Sequence, residues 1–124
     1  MNEPSETGGK LTSHVLNLVN GRPAVHLLIQ LYALRDGKVV EREQISERYT
    51  NADGRVDAPF MAGKEMQEGV YELVFHAGDY LRDHNMEPVL FEIIPIRFTI
   101  ADRTASYHIP LLIAPGGYST YRGS

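Results

Sequence analysis

Gly69-Val70-Tyr71-Glu72-Leu73-Val74-Phe75-His76 is the stretch that decides the fold class. Tyr71, Leu73 and Phe75 recur at every second position, so an extended chain places them on one side. The run is short, rich in aromatic and β-branched residues, and opened by a glycine. These are the marks of a β-strand.

Working outward, the same pattern recurs. Upstream, Leu11 to Leu18 reads as a strand closing on the turn signal Asn20-Gly21-Arg22-Pro23. Thr12, His14, Leu16 and Leu18 share one of its faces, and Leu11, Ser13 and Val15 the other. Ala24 to Leu34 alternates again. Asp36-Gly37 marks a hairpin, and Lys38 to Ser46 returns as a polar edge strand. Asn51-Ala52-Asp53-Gly54-Arg55 is a second tight turn, with Arg55 opening a strand toward Ala58, while residues 60–68 suit a loop or one helical turn. Downstream, Asp79 to His84 is the one passable helix, with Gly78 or Asp79 as cap. Val89 to Ile100 reads as a long strand, and Pro95 within it implies an edge position or a bulge. Ala101 to Thr104 turns the chain into a last strand, Ser106 to Ile113. About seven short strands at roughly 10-residue spacing predict an all-β chain, an antiparallel sandwich or barrel interrupted by one short helix.

The chain has 124 residues, enough for one domain with a real core. Residues 1–9 are expected to be a flexible polar segment and 10–124 the domain. Net charge is −4 and no basic run exists, which argues against nucleic acid or a membrane surface as partner. There is no cysteine, so disulfides, thiolate catalysis and sulfur-ligated metals are excluded. The polar opening lacks the apolar core of a secretory signal, and no apolar window is long enough to span a bilayer. A cytoplasmic location is the simplest expectation.

Two of the five histidines, His14 and His108, lie mid-strand among apolar neighbours. A histidine there is a candidate acid or base at neutral pH; the plainer reading is a core residue with a satisfied ring. His26, His76 and His84 are blander. No His-x-His or His-Glu-x-x-His spacing supports a metal, and no nucleophile elbow or phosphate loop is present. Arg55 directly follows its tight turn. The segment Tyr118 to Ser124, after the glycine-rich turn, is crowded with hydroxyls and one guanidinium, that of Arg122. A polar, aromatic tail attached to a core strand reads as docked and used. Spacing alone does not name a reaction.

Taken together, several motifs do more. Leu11-Thr12-Ser13-His14-Val15-Leu16-Asn17, Gly21-Arg22-Pro23-Ala24, Thr50-Asn51-Ala52-Asp53-Gly54-Arg55, Gly69-Val70-Tyr71-Glu72-Leu73, Phe98-Thr99-Ile100, Tyr107-His108-Ile109-Pro110-Leu111-Leu112 and Tyr121-Arg122-Gly123-Ser124 resemble the transthyretin-related 5-hydroxyisourate hydrolase family over residues 10–124. The Tyr-Arg-Gly-Ser segment is the most specific piece, because transthyretin itself lacks it.

The resemblance implies an all-β, transthyretin-like antiparallel sandwich of two four-stranded sheets with one short helix. It also implies a homotetramer, a dimer of dimers with active sites at the dimer–dimer interface. The implied reaction is addition of water to 5-hydroxyisourate at C6, opening the N1–C6 bond, with no metal or organic cofactor. By the same resemblance His14, Arg55, His108 and Ser124 are catalytic, and His14, Arg55, Tyr121 and Arg122 bind substrate. Ala114-Pro115-Gly116-Gly117 departs from the family pattern, Gly116 standing where an aromatic is common, and His26 is an unusual occupant of its position. The rival readings are a non-enzymatic transthyretin-like carrier of a small ligand and a structural sandwich module.

Overall fold

A computed structural model of the chain describes residues 8–35 and 41–124. Among the described residues nine strands appear in order: β1 (Lys10–Asn17), β2 (Arg22–Pro23), β3 (Leu28–Leu34), β4 (Arg42–Tyr49), β5 (Met61–Ala62), β6 (Gly69–Phe75), β7 (Ile94–Ile100), β8 (Tyr107–Ala114) and β9 (Gly117–Thr120). A 3-10 turn covers Gly63–Glu65, and one helix, α1 (Ala77–Asp83), follows β6. The strands form two sheets, one ordered β2-β1-β8-β9 with β5 also on β1, the other β4-β3-β6-β7. This is the expected sandwich, with the two-residue β5 adding a fifth strand to one sheet. The expected hairpin at Asp36-Gly37 lies outside the described residues, as does residues 1–7 of the expected flexible segment. Gly9 is buried, and its amide donates to the Arg103 carbonyl at 3.0 Å.

The core forms where the inward faces of the two sheets meet. Leu11, Val15, Leu111 and Ile113 from one sheet and Ile29, Leu31, Leu73 and Phe75 from the other are fully buried. In β1 burial alternates strictly, so Thr12, His14 and Leu16 face outward, half-buried. Polar groups on its inward face are satisfied: Ser13 Oγ donates to the Ile109 carbonyl at 2.7 Å, and Asn17 Nδ2 to Tyr80 Oη at 3.1 Å. Pairing is antiparallel except between β1 and β8, which run parallel with Leu11 beside Tyr107 and Asn17 beside Ile113.

Several boundaries differ from the sequence reading, each for a visible reason. The strand expected from Ala24 starts only at Leu28, because Thr50 holds residues 24–27 in a turn. Its hydroxyl accepts from the Leu27 amide and donates to the Ala24 carbonyl, and its own carbonyl accepts from His26. His26 sits there at φ +62° and stacks on Tyr49. Arg55 opens no strand; it forms a single antiparallel bridge with His14. Helix α1 starts at Ala77 with His76 at its N-cap position, two residues before Gly78 and three before Asp79, the expected caps. The strand expected from Val89 starts at Ile94, because the preceding loop is tied elsewhere. The Glu92 carbonyl accepts from the Gly78 amide, Arg82 grips the Glu92 carboxylate at 2.6 Å, and the Leu90 amide reaches the Pro115 carbonyl. Pro95 does lie on an edge strand, β7. Strand β9, inside the segment read as a tail, has no apolar alternation to announce it.

Leu73 is fully buried on β6, paired on either side with Leu31 and Ile96. Leu73→Ala is expected to cost about 3 kcal/mol through lost burial and a residual cavity. Urea denaturation should show a lower midpoint with an unchanged slope.

Candidate active site

The parallel register of β1 and β8 sets Thr12 beside His108 and His14 beside Pro110. Both histidines therefore emerge on the outer face of the β2-β1-β8-β9 sheet, close enough that a charge on His14 disfavours one on His108. A one-residue slip would turn either one into the core.

Arg55 is delivered by the 51–55 turn. Asn51 Oδ1 accepts from the amides of Asp53 at 2.8 Å and Arg55 at 3.1 Å, and the Asn51 amide donates to the Arg55 carbonyl at 2.8 Å. Gly54 adopts φ +75°, a conformation that favours glycine. A Cβ there would also lie 2.5 Å from the Val15 carbonyl, which the turn approaches as Val15 donates to the Gly54 carbonyl at 2.8 Å. The turn is thus hydrogen-bonded directly to β1, and Arg55 stands next to His14.

The tail comes from the other side, continuing past β9 along the edge of β8. Thr120 Oγ1 donates to the Pro110 carbonyl at 2.7 Å, and the Gly123 amide to the His108 carbonyl at 2.7 Å. Gly123 lies so close to the imidazole that a Cβ would be 2.6 Å from His108 Cδ2. The next residue, Ser124, then forms part of the wall of an open cleft.

That cleft measures about 290 Å³ and is lined by Lys10, Thr12, Arg55, Ser106, His108 and Ser124, among others. This is near the lower end of the roughly 300–1,000 Å³ usual for small-molecule pockets. Among the described residues no carboxylate side chain lines it, whereas two cations, Lys10 and Arg55, do. Burial first, then the Arg55 guanidinium, pushes the His14 imidazole below its ordinary pKa, with a hydrogen bond to the Asp53 backbone acting the other way. His108 is lowered by burial first, then by Arg55 and His14. Both rings are accordingly neutral at pH 7, the form that can take a proton. Among the described residues no cluster of three or more His, Asp or Glu side chains is arranged to hold a metal.

Of the residues singled out in the sequence, Arg55, His108 and Ser124 line the cleft, and His14 adjoins it through Arg55. Tyr121 and Arg122 are not brought to it. They border a separate apolar hollow of about 230 Å³ with Ile96, Phe98 and Ile109. Arg122 is engaged there, its guanidinium 4.3 Å from the Tyr107 ring centroid and donating to the Ser106 carbonyl at 3.1 Å. Lys10, Thr12 and Ser106 were not singled out. For Thr12 and Ser106 the signal is present, since alternation puts Thr12 on the face of His14 and Ser106 on that of His108; Lys10 lies just before the expected start of its strand.

Residues 11–123 match the model of the HIUase/Transthyretin family. A 5-hydroxyisourate hydrolase 2 of Rhizobium meliloti is 51% identical over 119 residues, covering 94% of this chain and 97% of the relative. The structure of Klebsiella pneumoniae 5-hydroxyisourate hydrolase superposes with a TM-score of 0.77 at 34% identity, covering 94% of this chain and 99% of the other. The crystal structure of an (S)-allantoin synthase gives a TM-score of 0.88 at 37% identity over 98% of this chain, which spans only 46% of that protein. With a family match running from β1 to the tail, and with relatives aligned over nearly their whole length, the chain belongs to the HIUase/Transthyretin family.

Proposed function

We propose that this chain is a hydrolase that opens 5-hydroxyisourate, yielding 2-oxo-4-hydroxy-4-carboxy-5-ureidoimidazoline in purine breakdown. The observation that carries this reading is two imidazoles held in their neutral form around one guanidinium beside a small cleft that, among the described residues, has no carboxylate side chain. Family membership and a 51%-identical relative named for this hydrolysis support it. A carrier of apolar ligands has no use for these groups. The cytoplasmic setting expected from the sequence belongs to the same reading.

In the proposed reaction His14 and His108 position a water and one of them takes its proton. The hydroxide attacks C6, and the oxyanion that develops on the carbonyl oxygen is met by the Arg55 fork. Collapse breaks the N1–C6 bond, and the imidazolium returns the proton to N1. Ser124 orients one of the rings from the cleft wall. Tyr121 and Arg122 act in this scheme by seating the tail, and they meet substrate only in the assembled protein.

The assembly we propose is a dimer of dimers, with the sites in the channel between dimers. Its support is the outer face of the β2-β1-β8-β9 sheet, where Leu16 and Leu112 lie half-buried on the face that bears both histidines. At one end of the same sheet Leu18 and Val19 are each 56% exposed, an apolar surface suited to a second copy.

Three outcomes follow. Ultraviolet decay of freshly generated 5-hydroxyisourate should accelerate with the wild-type chain, and His14→Ala or His108→Ala should each lose about 100-fold or more in kcat. Unchanged turnover in either variant would sink the scheme. Proton NMR titration should place both rings below the ordinary histidine value near ~6.5, so that activity holds at neutral pH and falls as acid protonates them. In Arg55→Gln both should titrate higher, because the neighbouring cation that disfavours protonation is gone. Removal of Tyr121–Ser124 should abolish hydrolysis while circular dichroism and light scattering still report a folded oligomer.

A further inference from the structure

Within the proposed active site, the ring of His108 is held from a direction that the reaction scheme does not yet use. Its Nδ1 lies 2.8 Å from Thr12 Oγ1, a partner 96 positions away in sequence and directly opposite across the β1–β8 ladder. The Cδ2 edge of the ring is closed by Gly123, where no Cβ could fit. With Nδ1 bonded and Cδ2 covered, the edge formed by Cε1 and Nε2 is the one left open, and among the described residues Nε2 has no hydrogen-bond partner.

The chemistry of the partner matters as much as its position. A carboxylate or carbonyl beside Nδ1 can only accept, which locks the proton on Nδ1 and raises the basicity of the ring. A threonine hydroxyl both donates and accepts, and its hydrogen rotates freely about the C–O bond. It therefore serves the ring in every form: donating to Nδ1 when Nε2 carries the proton, and accepting from Nδ1–H when Nε2 is bare or when both nitrogens are protonated. When Nε2 takes a proton from water and returns it to a leaving nitrogen, the ring passes between the form with bare Nε2 and the doubly protonated one. The hydroxyl accepts from Nδ1–H in both, and the donating orientation serves the other neutral tautomer between turnovers. Thr12 is also fixed, since β1 is paired on both sides and the residue is only half-exposed.

We propose that Thr12 is a positioning residue for the hydrolysis: its hydroxyl aims Nε2 of His108 into the cleft and accommodates both neutral tautomers of the ring. The proposal rests on the hydrolase reading above, and it assigns no contact between Thr12 and substrate.

The test compares Thr12→Val, which keeps the shape and removes the hydroxyl, with Thr12→Ser, which keeps the hydroxyl. Thr12→Val should lower kcat roughly 10- to 100-fold, as loss of a group that orients an imidazole does, with KM within about twofold of wild type. Thr12→Ser should stay within about threefold of wild type in both constants. The ring 15N shifts of His108 should move in Thr12→Val and remain near wild type in Thr12→Ser. Where Thr12→Val does not reproduce the wild-type circular dichroism, Thr12→Cys takes its place, the thiol being a weak hydrogen-bonding group. An active wild type with an unaffected hydroxyl-free variant, or equal losses in both variants, or a loss confined to KM, overturns the proposal alone. A wild-type chain that does not accelerate decay of 5-hydroxyisourate overturns the functional reading and this proposal with it.

Discussion

The parallel ladder between β1 and β8 is the constraint on which the rest of the molecule depends. Seven residue pairs run from Leu11 beside Tyr107 to Asn17 beside Ile113. Inward, the ladder supplies Leu11, Val15, Leu111 and Ile113 to the core; outward, it presents His14 and His108. Its flanks then receive the remaining parts of the site. The 51–55 turn hydrogen-bonds to β1 through Val15 and carries Arg55, and the tail hydrogen-bonds to β8 through Pro110 and His108 and carries Ser124. Main-chain bonds thus determine the arrangement of side chains that themselves make few contacts, which is what allows the cleft to stay open.

How much of this was legible in the sequence depended on whether the cause was local. Tyr71, Leu73 and Phe75 announce β6 because burial on one face imposes a period of two. Pro95 announces an edge because it has no amide to give to a neighbouring strand. Residues 24–27 and 89–93 misled because their hydrogen bonds go to Thr50, Gly78 and Pro115, none of which an alternation pattern contains. The partner and direction of a strand are likewise absent from its own pattern, so the parallel pairing could not be read there. Short, polar β9 exists only because β8 offers it an edge.

The site divides in the same way. His14 and His108 stood out as imidazoles within apolar strands, and Arg55 as a cation held by a tight turn, but spacing did not say that they converge. Motif resemblance supplied the reaction. The tail was recognised as docked, yet the roles of its members separate only in three dimensions: Gly123 allows close approach to His108, Ser124 reaches the cleft, and Tyr121 and Arg122 border the apolar hollow.

The neutral state of the two imidazoles also bears on the folding equilibrium. Released from burial and from Arg55, each would titrate near ~6.5 in the unfolded chain. Their folded values lie lower, so above that pH both states bind the same protons and the histidines contribute no pH dependence. As pH falls below it, the unfolded chain takes up protons that the folded chain refuses, and by linkage the free energy of unfolding shrinks until the folded values are passed. The environment that readies a base for neutral water thereby makes the fold sensitive to mild acid.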